Sequence, residues 1–387
     1  MDRRLHILIL AGGAGRRLWP WSRPGRRKPE LPLVAGKSPL EEAIEASLSL
    51  VPPERLHLVA ADGYISNPGP CRLISEERGR NTLPAVAKGA SDLFGMDPES
   101  VALVLPADQH FVDRDLLRVG LQKTCRELLE DSERFFIHGT ESDPHSSFGC
   151  IVANGDRLIR FVEKPDMSEC ESIHDLRDHE ESIRTYRHCG IFGFGTDFLI
   201  KSLEARGCST PAELPEISLD HYLLSDSNFL SSLTFQPLGH RWSDLGDWRV
   251  VRDFRRLDNS NSGVVMISCE SCLGLRRYLD GEPYISCGAA PVISGTIDRR
   301  IVAVGMPEFE INVDSGQWNV VVQGKDHISE KTILLNSTGE LVQIHGMDGG
   351  LVVCMEDLFV VCSEKSLESG DLSEVSKVFD SELREGV

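Results

Sequence analysis

With 387 residues, 41% of them hydrophobic, the chain can bury a large core, enough for two domains or for one large domain with an appendage. Its 60 Asp and Glu against 41 Lys and Arg give a formal net charge of −19. That balance excludes nucleic acid as the main partner, because a phosphate backbone needs extended basic surface. No apolar run approaches the length of a membrane span, and the apolar part of "MDRRLHILILAGG" is too short for a signal peptide, so a soluble, cytoplasmic protein with no membrane partner is expected.

Over residues 1–255, short apolar runs alternate with amphipathic stretches. "HILILA", "RLHLVAA", "VALVLPAD", "RFFIHG" and "GIFGFG" read as strands, while Pro39–Leu50, Asn81–Phe94 and Arg114–Leu129 show helical spacing. Thr82 ahead of Pro84 reads as a helix start, with a capping side chain before a proline in the first turn. Strands alternating with helices predict an α/β domain, a mainly parallel sheet covered on both faces. Over residues 256–387 the character changes to runs such as "RIVAVG", "WNVVVQG" and "TILLN" separated by turn signals like Asp348-Gly349-Gly350. This predicts a smaller β-rich domain. From Asp371 onward, Val375, Val378, Phe379 and Leu383 share one helical face, so a closing helix is expected. No strict repeat is found, and the hexapeptide pattern of a β-helix is only faintly present. The 11 cysteines are scattered and odd in number, as reduced thiols are; Cys269 and Cys272 form a single C-x-x-C, weak evidence for zinc without a second pair.

The stretch "LILAGGAGRRLWPWSRPGRRK", Leu8 to Lys28, concentrates glycine and arginine without one acidic side chain in an otherwise acidic protein. A strand ending in Gly12, Gly13 and Gly15 lets backbone N–H groups approach phosphate oxygens closely. The spacing is not that of a dinucleotide turn, because the position after Gly13 and Gly15 that needs glycine is Leu18. Nor is it a P-loop, because Gly36-Lys37-Ser38 lacks the earlier glycine, which is Leu31. A structural turn remains open on the glycines alone. The arginines that follow favour a phosphate site, which needs backbone donors and fixed cations together.

"LAGGAGRRLWPWSR" resembles the signature of the sugar-nucleotide pyrophosphorylases, and "RLWPWSR" is similar to their mannose-1-phosphate guanylyltransferase branch. "EERGRNTLPAVA" (76–87), "VLPADQH" (104–110), "FGCIV" (148–152), "FVEKPD" (161–166), "CGIFGF" (189–194), "ISLD" (217–220) and "WSDLGDW" (242–248) follow in the same order. The resemblance implies a Rossmann-like nucleotidyltransferase domain. It also implies attack of a sugar-1-phosphate oxygen on the α-phosphate of a nucleoside triphosphate, with release of pyrophosphate. Both reactants are anions, so positioning and charge neutralisation carry such a reaction, without a covalent nucleophile.

The resemblance then assigns roles. Ala11, Gly12, Gly13 and Gly15 would lie along the triphosphate, with Asn81 and Thr82 on the nucleotide side. Arg17 and Lys28 match the family's catalytic cations, Arg17 suited to bidentate phosphate contact and Lys28 to a point charge. Arg16, Arg26 and Arg27 would supply field and solubility. Asp108 ends "VALVLPAD" at the carboxyl edge of a strand and Asp244 sits between tryptophans. Either could simply cap a helix or a turn; the resemblance makes them the ligands of Mg²⁺ or Mn²⁺, hard ions that take carboxylate and phosphate oxygens. Gly149, Glu163, Lys164, His188 and Asp220 match the sugar-phosphate side.

The departures cluster on that side. Arg187-His188-Cys189 stands where the family has tryptophan-asparagine-serine, Ser147 replaces a glycine and Cys150 an aromatic. Elsewhere, Arg27-Lys28-Pro29 replaces proline-lysine-glutamine, and Gln109 takes the place of a histidine, with His110 one position later. A regulatory homologue that binds nucleotide sugar should lose metal and phosphate ligands first. An active enzyme with an altered sugar pocket should keep them, which is the pattern here. The resemblance implies GTP and mannose-1-phosphate as substrates, with another hexose- or heptose-1-phosphate as the alternative; a homo-oligomer is left open.

Overall fold

The computed structural model describes residues 2–251 apart from 14, 20, 24, 34–36, 156, 181, 209, 225–228, 240, 241, 247 and 249, together with strand segments between 265 and 362 and residues 368–369. The chain divides into two units, Met1–Gly13 with Lys37–Asp244, and Ala14–Gly36 with Leu245–Val387. The segment that follows the first glycines therefore groups with the second unit, rather than with the strand it leaves.

In the first unit, β1 (Leu5–Ala11) is buried along nearly its whole length, as a central parallel strand covered on both faces must be. Helix α1 (Pro39–Leu48) opens on a reciprocal cap in which Glu41 N–H donates to Ser38 Oγ (3.2 Å) and Ser38 N–H to the Glu41 carboxylate (2.7 Å). After β2 (Leu56–Ala61) and β3 (Arg72–Glu76), helix α2 (Thr82–Met96) is capped by Asn81, whose side chain accepts from Thr82 N–H. The cap is thus Asn81 rather than Thr82. There follow β4 (Val101–Pro106), β5 (His110–Phe111), α3 (Arg114–Glu130), β6 (Phe135–Glu141), β7 (Cys150–Asn154), β8 (Arg157–Val162), α4 (Met167–His179), β9 (Ile183–Gly195), α5 (Thr196–Glu204), α6 (Leu219–Leu224), β10 (Leu233–Pro237) and β11 (Trp242–Ser243).

The main sheet runs β10-β6-β9-β4-β1-β2-β3, with the β7–β8 hairpin attached to β9. Pairing is parallel from β4 through β1 and β2 to β3 and between β10 and β6; β9 alone enters antiparallel between β6 and β4. The expected mainly parallel α/β sheet is present. Side chains alternate across it: Ile7, Ile9, Leu103 and Leu105 pack with Leu40 of α1 and Leu117 and Leu121 of α3. Leu8, Ala102 and Val104 face the opposite layer, with Val86 of α2, Leu199 of α5 and Leu223 of α6. The strand expected at "GIFGFG" is the end of the longer β9, whose earlier half carries Arg184, Arg187 and His188.

In the second unit most strand pairs among the described residues are parallel: some join neighbouring segments, with Val292 opposite Glu310 and Thr332 opposite Gly350, and others join distant ones, with Val265 opposite Ile333 and Arg300 opposite Leu358. Near its start, Trp248 Nε1–H donates to Trp19 O (3.0 Å), and the Trp248 and Trp21 rings stack at 6.0 Å. Trp19 and Trp21 of "RLWPWSR" are thereby packed with Trp248, the last residue of "WSDLGDW". The expected helix from Asp371 and the pair Cys269 and Cys272 lie outside the described residues. Cys71, Cys125, Cys150 and Cys189 are buried thiols.

Candidate functional site

β1 delivers Ala11, Gly12 and Gly13 to the carboxyl edge of the sheet. Gly13 has φ +88°, and a Cβ on either glycine would meet nothing within 4 Å. Their lack of side chains is therefore not demanded by the protein's own packing, and the backbone stands open to a ligand. Tyr64 Oη donates to Gly13 O and holds the end of the loop. Gly15 differs: with φ +61°, a Cβ there would collide with Ser22 Oγ and lie 3.1 Å from Lys28 Cβ. In the second unit the structure thus brings Gly15 to Lys28, which is buried at the head of a 3-10 turn, whereas Arg17 is exposed in the turn Arg16–Leu18. The Arg26 guanidinium lies over the Trp21 ring at 5.3 Å.

Asp108 and Asp244 are remote in sequence, and a two-stranded ribbon unites them. β5 and β11 pair antiparallel with Phe111 opposite Trp242 and His110 opposite Ser243. Asp244, one residue beyond Ser243, and Asp108, two residues before His110, therefore flank the same end of the ribbon, and both are partly exposed. The ribbon is held from below by Glu42 of α1, a buried carboxylate that accepts from His110 Nδ1 (2.9 Å) and from Arg114 Nη2 (2.9 Å). Gln109 turns inward, donating from Nε2 to Cys189 O (2.8 Å). Sequence reasoning missed Glu42, because one glutamate inside a helix carries no local signature. Two carboxylates at one ribbon end, open to solvent on one side, have the hard-oxygen chemistry that Mg²⁺ or Mn²⁺ takes.

The sugar-side candidates also come together. Gly149 sits where a Cβ would lie 2.7 Å from Phe161 Cζ and 3.0 Å from Glu163 Oε2, so a side chain here would displace both. Gly149 O accepts from His188 N–H (2.8 Å), and His188 Nδ1 lies 3.8 Å from Asp220 Oδ1. Glu163 Oε2, His188 Nε2 and Asp220 Oδ1 are each buried without a hydrogen-bond partner among the described residues. Burial pushes the Asp220 carboxyl up to about 7 and pulls the His188 imidazole down to about 4. Burial, with the nearby Asp220 charge, also raises Glu163. Orphaned polar atoms in one place are costly unless a ligand completes them. Lys164, by contrast, is 63% exposed at its side chain.

Thr82 Oγ1 accepts from Leu219 N–H (2.9 Å), which ties the start of α2 to the helix that carries Asp220. Backbone strain marks the same places. Among the described residues, the non-glycine positions with positive φ are Asn81 (77°), Lys164 (47°) and Leu245 (44°), the last following Asp244 directly. Lysine and leucine avoid this region at a cost of roughly 1–2 kcal/mol each, and such strain gathers at functional sites.

The family model described as nucleotidyl transferase matches residues 6–260. Xanthan biosynthesis protein XanB of Xanthomonas campestris pv. campestris is 26% identical over 302 residues, covering 68% of this chain and 63% of that one. Mannose-1-phosphate guanylyltransferase of Salmonella montevideo is 27% identical over 295 residues, covering 66% and 61%. The chain thus spans less than two thirds of the length of these relatives. A crystal structure of mannose-1-phosphate geranyltransferase from Thermus thermophilus superposes with TM-score 0.65 at 23% identity over 97% of this chain and 99% of that one, a likeness of fold. Among the described residues no helix is long and apolar enough to cross a membrane. The chain belongs to the nucleotidyl transferase family.

Proposed function

We propose that the protein transfers a nucleotidyl group, GMP from GTP, to a sugar-1-phosphate, mannose-1-phosphate, and releases pyrophosphate. An oxygen of the sugar phosphate attacks the α-phosphorus, the bond to the β-phosphate oxygen breaks, and that oxygen leaves on pyrophosphate. The observation that supports the reading is the β5–β11 ribbon, which brings Asp108 and Asp244 to one end, where their carboxylates would hold a hard cation against phosphate oxygens. Gly12 and Gly13, open and without side chains, offer the triphosphate close backbone approach. Arg17 and Lys28 follow in the same loop sequence as its cations.

A divalent ion held by Asp108 and Asp244 would withdraw charge from the reacting phosphate oxygens. The rest falls to the chain. Lys164 pairs with the sugar phosphate, while Glu163, His188 and Asp220 hold sugar hydroxyls with the buried polar atoms that lack partners in the protein. Burial favours the uncharged form of both His188 and Asp220, so this pocket suits neutral hydroxyls that both donate and accept. GTP and mannose-1-phosphate rest on "RLWPWSR" and on the likeness, at 27% identity, to the mannose-1-phosphate guanylyltransferase of Salmonella montevideo. His188 is the residue that would redirect the choice to another hexose or a heptose.

The test is a matrix of purified protein, Mg²⁺, four nucleoside triphosphates and a panel of sugar-1-phosphates, read by pyrophosphate release. The expected result is turnover with GTP and mannose-1-phosphate. Preference for UTP or dTTP removes the base assignment, and turnover only with a sugar lacking the manno configuration removes the acceptor assignment. Nucleotide binding without pyrophosphate from any pair would favour the regulatory homologue.

A further inference from the structure

Arg187 stands in β9 beside His188, and the sugar-side candidates do not include it. Its guanidinium lies over the Phe148 ring at 4.4 Å, which fixes its plane. Phe148 in turn meets Trp242 edge-on at 5.7 Å, so Phe148 links the arginine to the ribbon that leads into Asp244. What it lacks is a counter-charge. Its Nε is buried without an acceptor, its one hydrogen bond among the described residues is a long contact from Nη2 to Ser142 Oγ (3.4 Å), and no carboxylate among them lies within 4.0 Å. Asp143 shares the narrow crevice that Arg187 lines with His145, Phe148 and Gly149, but Asp143 is already paired with Arg177 at 2.6 Å. Asp244 attracts Arg187 from beyond ion-pair distance, and burial lowers the arginine's pKa, as expected for a cation short of compensation.

A half-buried guanidinium held flat, with a donor edge unused, is costly to maintain unless an anion completes it. We propose that Arg187 is a binding residue for an anionic oxygen of the sugar substrate, either its C1 phosphoryl group or a second acid group carried on the sugar. The inference rests on the sugar-1-phosphate reading above. It adds a fixed, planar cation on the Gly149 side of the site, distinct from the exposed ammonium of Lys164. Arginine suits this role because its fork can meet two oxygens of one phosphoryl or carboxylate group.

The experiment titrates mannose-1-phosphate and a hexuronic acid 1-phosphate into wild type, Arg187→Met and Arg187→Lys, following tryptophan fluorescence, with GTP titrated separately and folding checked by thermal melting. Loss of a charged contact predicts roughly 10- to 100-fold weaker sugar-phosphate binding in Arg187→Met. GTP affinity should stay unchanged, and Arg187→Lys should recover part of the loss. Weakening toward both sugars identifies the C1 phosphoryl as the partner; weakening toward the uronic acid alone identifies the second acid group. Wild-type affinity for both sugars in a folded Arg187→Met overturns the proposal. If wild type binds no sugar-1-phosphate and releases no pyrophosphate, the functional reading fails, and inorganic phosphate becomes the probe. Phosphate binding lost in Arg187→Met still supports the anion site, and phosphate binding equal in both proteins rejects it.

Discussion

The ribbon that carries Asp108 and Asp244 and the pocket formed by Glu163, His188 and Asp220 both collect carboxylates, in opposite surroundings. The ribbon carboxylates are partly exposed at the end of a two-stranded pairing and remain open to water on one side. The pocket carboxylates are desolvated, their proton affinities rise, and each keeps one oxygen without a partner. Burial tunes a carboxylate toward neutral partners. The stack of Arg187, Phe148 and Trp242 links β9, beside the pocket, to the ribbon.

The largest effect should come from breaking the charged region. Asp108→Ala and Asp244→Ala should each lower kcat by about 10²–10⁴ at saturating metal, in line with the loss of electrostatic stabilisers elsewhere. Pyrophosphate release measures it, and wild-type turnover in both variants would place the cation elsewhere. A smaller but cleaner effect is expected at Gly12. Because a Cβ there meets nothing within 4 Å, Gly12→Val should leave thermal stability nearly unchanged while raising the KM for the triphosphate roughly tenfold or more, since the added methyls occupy ligand space. Unfolding of this variant, or an unchanged KM, would contradict the open-loop description.

The smallest effect sharpens the buried region. The Asp220 carboxyl titrates at about 7 in the folded protein against 3.8 ordinarily, so between those values the folded state holds the extra proton and stability falls as pH rises. His188 titrates at about 4 against 6.5, so the unfolded chain holds the extra proton there and stability rises with pH. In the wild type these slopes oppose each other. Melting temperatures of Asp220→Asn, relative to wild type, should therefore climb between pH 4 and 7, and those of His188→Gln should decline between pH 4 and 6.5, each by a few degrees. Profiles parallel to wild type in both variants would show that neither group is desolvated.

Much of this was legible in the chain. β1 and β4 are continuous apolar runs and could hardly be anything but central strands. Asp108 follows β4 directly, so its place at the carboxyl edge followed from local pattern. β8 and the first half of β9 were illegible because Arg157, Arg160, Arg184 and Arg187 interrupt the apolar signal, and partners on neighbouring strands, not propensity, hold these segments extended. The pairing of His110 with Ser243 joins distant parts of the chain, and no local pattern encodes that register. The motif order named both aspartates, yet only the ribbon shows why they fall at the same end of one strand pair. Glu42 and Arg187 stayed hidden for a further reason, since each acquires its meaning from what surrounds it, a ribbon above one and an aromatic ring beneath the other.

The central claim is a direct transfer of the nucleotidyl group between two phosphates, organised by the Asp108–Asp244 ribbon. GTP labelled at its α-phosphate, incubated with Mg²⁺, mannose-1-phosphate and the protein in single-turnover amounts, follows that transfer atom by atom. The account predicts that label passes from GTP into a sugar nucleotide at the rate pyrophosphate appears, with none retained on protein, and that Asp244→Ala abolishes the passage. Label bound covalently to the protein, or label that stays in GTP while the nucleotide is bound, would contradict it.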